Sequence, residues 1–143
     1  MHMDTVNLLL VDDENEFRQT VAKRLMKRGM NVRQASSGQE CLDSIDQNPV
    51  DVVVLDVKMP GMDGIETLHR IKEKHPETEV IMLTGHASLE VAIEGMELGA
   101  FDYLMKPIDI DELLYKLEDA NKKRNIQTQK IRAMKEVRGS TGS

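Results

Sequence analysis

The 143-residue chain has no Trp, only two Tyr and two Phe, a single Cys and four Pro. So few aromatics exclude a nucleic-acid surface built from stacked rings. One cysteine, Cys41, excludes an internal disulfide framework and a Cys-rich zinc centre. No apolar run approaches the roughly 18–20 residues of a membrane span, and the first residues lack the layout of a secretory signal. The expected compartment is a reducing cytoplasm, with no membrane partner. One ordinary domain is the prior for this length, and a chain of about this size buries roughly two-thirds of its unfolded surface without staples.

Charge of one sign is missing only on average. The net charge is −6, but residues 1–120 hold 12 Lys+Arg against 24 Asp+Glu, giving −12, and residues 121–143 hold seven against one, giving +6. An acidic body is a poor duplex binder, and the basic end licenses only non-specific attraction, so direct nucleic-acid binding by the body is not expected.

Five short apolar runs punctuate the body at 7–11 (NLLLV), 31–35 (NVRQA), 50–55 (VDVVVL), 79–83 (EVIML) and 101–105 (FDYLM). Helical periodicity fills the intervals at 14–28, 38–47, 64–74 and 89–98, and returns from about Ile110. Asp13 with Glu16 and Ser37 with Glu40 have capping-box spacing, Ser88 suits the start of the fourth helix, and Gly29 and Gly99 suit helix ends. The pattern is (βα)5. Uninterrupted apolar strands indicate a parallel sheet covered on both faces, while Arg33 and Gln34 mark the second strand as an edge. The reading is a doubly wound α/β three-layer sandwich. Its expected divisions are an N-terminal tail (1–5), the domain (6–121), a basic helical extension or linker (122–138) and a disordered end (139–143).

In such a sheet, ligands bind at the carboxyl ends of the strands. Asp12 and Asp13 follow the first strand, Asp56 ends the third, Thr84 follows the fourth, and Lys106-Pro107 follows the fifth. Singly, each has a bland reading: a helix cap, a strand-end acid, a turn former, a solvated lysine. Together they place three carboxylates, a hydroxyl and an ammonium on one edge. Adjacent carboxylates repel unless a cation joins them, and an oxygen-only set suits Mg2+. Lys106 adds a point charge for phosphate and Thr84 a donor. The combination fits phosphoryl transfer, with a carboxylate as nucleophile.

These residues sit in four ordered motifs: Val11-Asp12-Asp13-Glu14, Leu55-Asp56-Val57-Lys58-Met59-Pro60-Gly61-Met62-Asp63-Gly64, Leu83-Thr84-Gly85-His86-Ala87 and Tyr103-Leu104-Met105-Lys106-Pro107. From about residue 6 to 120 the chain resembles the receiver domain of bacterial two-component response regulators. The third and fourth motifs look most like nitrogen-regulatory regulators of the sigma-54-activator type.

The resemblance implies a strand order of 2-1-3-4-5 and a role for each residue. Asp56 would be the phosphoacceptor. Asp13 and Asp56 would ligate Mg2+ by side chain, Lys58 by its backbone carbonyl, and Asp12 mostly through water. Thr84, Gly85 and Lys106 would bind the phosphoryl group, with a cis Lys106-Pro107 bond. Thr84 and Tyr103 would be the switch pair, and Lys58 and His86 would tune phosphoryl lifetime. The implied partner is a sensor histidine kinase. A homodimer could form through the fourth-helix/fifth-strand/fifth-helix face or the last helix, where Leu113, Leu117, Ala120, Arg124, Gln127, Ile131 and Met134 keep a 4-3-4-3 spacing broken by Arg124 and Gln127; a linker or a basic solvated helix is the other reading of that segment. The chain would be a relay rather than a turnover enzyme, its output domain lying outside this sequence. Other readings are a degenerate receiver serving as an interaction module, and an aspartate-nucleophile phosphatase, whose usual second Asp is here Lys58. A flavodoxin-like nucleotide or flavin binder would want a glycine- or hydroxyl-rich loop where Asp12-Asp13-Glu14 stands.

Overall fold

The computed structural model describes residues 5–59, 61–85 and 89–141. Strands and helices alternate: β1 (Asn7–Val11), α1 (Asn15–Lys27), β2 (Asn31–Ala35), α2 (Gly38–Gln47), β3 (Val52–Asp56), α3 (Gly64–Lys74), β4 (Glu79–Thr84), α4 (Leu89–Glu97), β5 (Asp102–Met105) and α5 (Ile110–Thr141). All four strand pairings are parallel, in the order β2-β1-β3-β4-β5.

Two-residue periodicity divides the strand side chains between two cores. Leu8, Leu10, Val52, Val54, Ile81 and Leu83 face Val21 and Leu25 of α1 and Leu113 and Leu117 of α5. Leu9, Val11, Val53, Leu55, Val80 and Met82 face Cys41 and Ile45 of α2 and Leu68 and Ile71 of α3. Leu8, Leu9 and Leu10 are fully buried, each contributing about 1.5–3 kcal/mol of hydrophobic stabilisation. β2 is the partly exposed edge, where Arg33 Nη2 donates to the Asn48 carbonyl at 2.6 Å beside the end of α2.

Local signals account for most boundaries. Ser37 accepts the Glu40 amide at 3.1 Å, and Ser36 hydrogen-bonds the Glu40 carboxylate. Asp63 caps α3 through the Glu66 amide at 2.9 Å. Gly29 and Gly99 take φ of 87° and 100°, conformations that favour glycine.

The capping box expected at Asp13 and Glu16 does not form. α1 begins at Asn15, and Glu14 holds the cap position without a capping bond from its side chain. Instead the Asp12 carboxylate takes the Glu14 amide at 2.9 Å, an Asx turn that commits the local backbone and leaves Asp13 outside the helix. The Ser88 cap lies outside the described residues. β3 starts two residues later than expected and ends on Asp56, which pairs in register with Leu83. α5 runs for 32 residues and takes in 139–141, expected as part of a disordered end; no proline interrupts it. Leu113, Leu117 and Ala120, the first half of the expected dimer seam, are spent on the domain's own core.

Candidate functional site

Strand order reverses about β1, whose neighbours are β2 and β3, so the crevice lies above the carboxyl ends of β1 and β3. Asp12 leaves β1 and Asp56 closes β3; both are buried, at 0% and 4% exposure, and Asp13 is exposed. One carboxylate oxygen from each of these three acids lies within 4.8 Å of the others, so the sheet assembles the acids read from the sequence.

Lys106 enters from the loop after β5. Its ammonium lies 2.9 Å from Asp12 Oδ2, 3.3 Å from Glu14 Oε1 and 3.8 Å from Asp56 Oδ1, and it sits 4.4 Å from the centre of the Phe17 ring. Cation–π contact and ion pairing together fix its position. Burial alone would depress the lysine pKa, but Asp12, Asp56 and Glu14 outweigh burial and raise it. The Lys106-Pro107 bond is cis, and the Lys106 amide donates to the Thr84 carbonyl at 2.9 Å.

Asp56 has the opposite problem. Burial and, after it, the Asp12 carboxylate push its pKa from 3.8 up to about 6, against the opposing pull of Lys106 and the Lys58 amide, with Asp13 adding a further upward push. The Lys58 amide reaches Asp56 Oδ1 only at 3.4 Å. One ammonium therefore does not neutralise the acids around it. An oxygen-only, anion-rich pocket short of positive charge fits a hard divalent cation.

The remaining residues occupy graded positions. Thr84 ends β4 and is buried at the edge of the crevice, and Gly85 follows it, exposed. Lys58 has an exposed side chain. Tyr103 is 39% exposed on β5, beside a groove formed with Ala92, Ile93, Met96 and Glu97 of α4. His86 lies outside the described residues.

Three contributors were not singled out from the sequence. Phe17 lies under the Lys106 ammonium and Glu14 pairs with it. Gly64 allows α3 to start against the end of β3: a Cβ there would meet the Asp56 carbonyl oxygen at 2.5 Å and Val57 Cα at 2.7 Å. Phe17 stands in the first turn of α1, immediately after the acidic motif, and also packs against the core.

The model of the response regulator receiver domain matches residues 8–118. The DNA-binding transcriptional regulator NtrC of Klebsiella pneumoniae is 42% identical over 103 residues, 72% of this chain and 22% of that protein. The transcriptional regulatory protein ZraR of Escherichia coli K12 is 39% identical over 120 residues, 84% of this chain and 27% of that protein. The chain thus spans about a quarter of the length of these curated relatives. Among solved structures, the receiver domain of NtrX from Brucella abortus superposes with a TM-score of 0.77 at 35% identity, covering 80% of this chain and 98% of that one. A receiver domain protein from Clostridium thermocellum gives 0.82 at 36% identity, covering 85% and 98%.

Proposed function

The chain belongs to the response regulator receiver domain family, of the NtrC and NtrX, sigma-54-activator type, and from that footing we propose that Asp56 accepts a phosphoryl group from a sensor histidine kinase. The observation that carries the reading is the crevice itself: three carboxylates within 4.8 Å and a lysine ammonium between Asp12 and Asp56, at the point where strand order reverses.

In the proposed step, an Asp56 carboxylate oxygen attacks the phosphorus of a phosphohistidine in line. The new P–O bond makes an acyl phosphate as the P–N bond breaks, and its electron pair leaves with the donor imidazole. Asp56 must be ionised to attack. Lys106 stabilises the phosphoryl oxygens as charge redistributes, and Thr84 and Gly85 supply further donors. The side chains of Asp13 and Asp56, the Lys58 carbonyl and, through water, Asp12 would hold Mg2+. When bound, the ion supplies the positive charge that the pocket lacks and draws in a phosphate.

Phosphorylation brings close to two negative charges. In this reading Thr84 turns toward them and Tyr103 follows, altering the α4, β5 and α5 face that meets an output or a second copy. Lys58 and His86 set how long the phosphoryl group survives. The domain serves as a cytoplasmic relay, its functional core spanning about 6–121, rather than as a turnover enzyme. Among the described residues no helix is long and apolar enough to cross a membrane.

The test is incubation with Mg2+ and a small phosphodonor, followed by intact-mass measurement of the wild type and Asp56→Ala. One phosphate gained by the wild type alone supports the proposal. Equal labelling of both, or no labelling even with the cognate kinase, refutes it.

A further inference from the structure

Helix α5 meets the sheet in two chemically different stretches. Through Ala120 it packs with Leu113, Leu114 and Leu117, the usual apolar face. Past Ala120 it stays against the body as far as Thr128, but the residues still partly covered there are Asn121, Arg124, Asn125 and Thr128. From Gln129 to Arg138 the side chains are exposed.

Charge holds the second stretch. Arg124 Nη1 lies 3.0 Å from Asp51 Oδ1, and Lys123 Nζ lies 3.5 Å from Glu79 Oε2 and 5.6 Å from the Phe101 ring centre. Glu79 is 1% exposed, and Asp51 also accepts the Asn7 amide at 2.9 Å. The fit is imperfect. Of the six buried polar side-chain atoms without a hydrogen-bond partner among the described residues, four are here: Glu79 Oε2, Asn121 Oδ1, Arg124 Nε and Thr128 Oγ1. Unmet polar groups offset part of what the ion pairs contribute. An attachment with little apolar burial and incomplete hydrogen bonding belongs to the low-stability end of a structure.

We propose that residues 122–128 form a charge latch, in which Lys123 and Arg124 close the C-terminal helix onto Glu79 and Asp51 at the amino edge of the sheet, and that it opens without unfolding the domain. Closed, it fixes the direction in which the helix leaves the body; open, it frees that helix from the body. The latch grips the amino ends of β3 and β4, the strands whose carboxyl ends carry Asp56 and Thr84. Ionic strength is one lever on it: Lys123 is about half exposed, so salt weakens its pull on Glu79, while the more covered Arg124–Asp51 pair is screened less.

Amide hydrogen exchange on the full chain tests this. At low salt, amides of 122–128 are expected to be protected well above those of 130–138. The pair Lys123→Met and Arg124→Gln at low salt is expected to reduce that protection roughly tenfold, and about 1 M NaCl to reduce it in the same direction by less. Protection of 113–120 should hold in both cases, and Lys123→Arg with Arg124→Lys should retain the latch. Exchange of 122–128 as fast as 130–138 in the wild type at low salt would overturn the proposal. So would protection indifferent to both salt and charge removal, or a loss spread evenly over 113–128, which would mean that the pairs hold α5 as a whole.

Discussion

Replacing the proposed phosphoacceptor by its uncharged isostere should make the metal-free protein more stable. Asp56 is buried, and its carboxyl is raised from 3.8 to about 6 by burial and then by Asp12, with the attraction of Lys106 already included. Ionised Asp56 therefore opposes folding above about pH 6. At 1.36 kcal/mol per pKa unit the penalty is about 3 kcal/mol, an upper figure because an asparagine side chain keeps the volume but is itself a buried polar group. Asp56→Asn should gain about 1–3 kcal/mol in chelator near neutral pH, or roughly 3–9 °C in the unfolding midpoint for a domain of this size.

The sign of the pH dependence follows from linkage. A carboxyl whose folded pKa lies above its unfolded value exacts its full penalty above the folded pKa, and loses it as pH falls from about 6 toward 3.8. The advantage of the variant should shrink over that window. Magnesium should act the same way: a ligand at a hundredfold its Kd adds about 2.7 kcal/mol to the form that binds it, here the wild type. Urea or thermal unfolding of both proteins, in chelator and in Mg2+, reads all of this. A variant less stable than wild type in chelator near neutral pH would refute the electrostatic reasoning, as would a gap unmoved by acid or by Mg2+.

Asp13→Ala should weaken Mg2+ binding about tenfold or more while leaving metal-free stability unchanged or higher, whereas Asp63→Ala, which removes a real helix cap, should cost about 1 kcal/mol; Mg2+ titration and urea unfolding separate the two. Lys106→Met should slow small-donor phosphorylation by about 100-fold or more and destabilise the metal-free protein, since it leaves Asp12 and Asp56 without their cation. Because the Lys106 pKa is raised, its stabilisation should persist below the ordinary lysine value and fade only as pH climbs through the folded one. Gly64→Ala should destabilise by about 2 kcal/mol or more and slow phosphorylation, because its Cβ would press on the backbone of Asp56 and Val57.

What was legible in the sequence follows from how locally each feature is encoded. β1, β2, α2 and α3 lie where their patterns place them, because each period is clean and Ser37 and Gly29 are strong punctuation. The three acids and Lys106 were legible because a parallel sheet puts every strand end on one edge. The start of α1 was not: two adjacent acids compete there, and which becomes the turn former depends on Lys106, 94 positions beyond Asp12, taking the other oxygen of that acid. Gly64 escaped for a similar reason, since its need for a bare Cα arises only where α3 meets β3.

Charge is where this distinction matters most. The acidic body and basic end, −12 and +6, invite a reading of two independent objects joined by a linker. Periodicity fails at Arg124 and Gln127, which on a coiled-coil template look like flaws in a seam. Arg124 is no flaw: it meets Asp51 across the amino edge of the sheet while Lys123 meets Glu79. Neither acid had a local signal, Asp51 standing as the one polar residue inside the 50–55 run and Glu79 as the first residue of the 79–83 run. The apolar positions left exposed along the second half of α5, Ile126, Ile131, Met134 and Val137, only partly follow the template seam. The body covers only the face of the helix that carries Asn121, Arg124, Asn125 and Thr128. The charge asymmetry thus serves two ends of one sheet: acids that could hold a metal ion at the carboxyl edge, and acids answered by the chain's own basic segment at the amino edge.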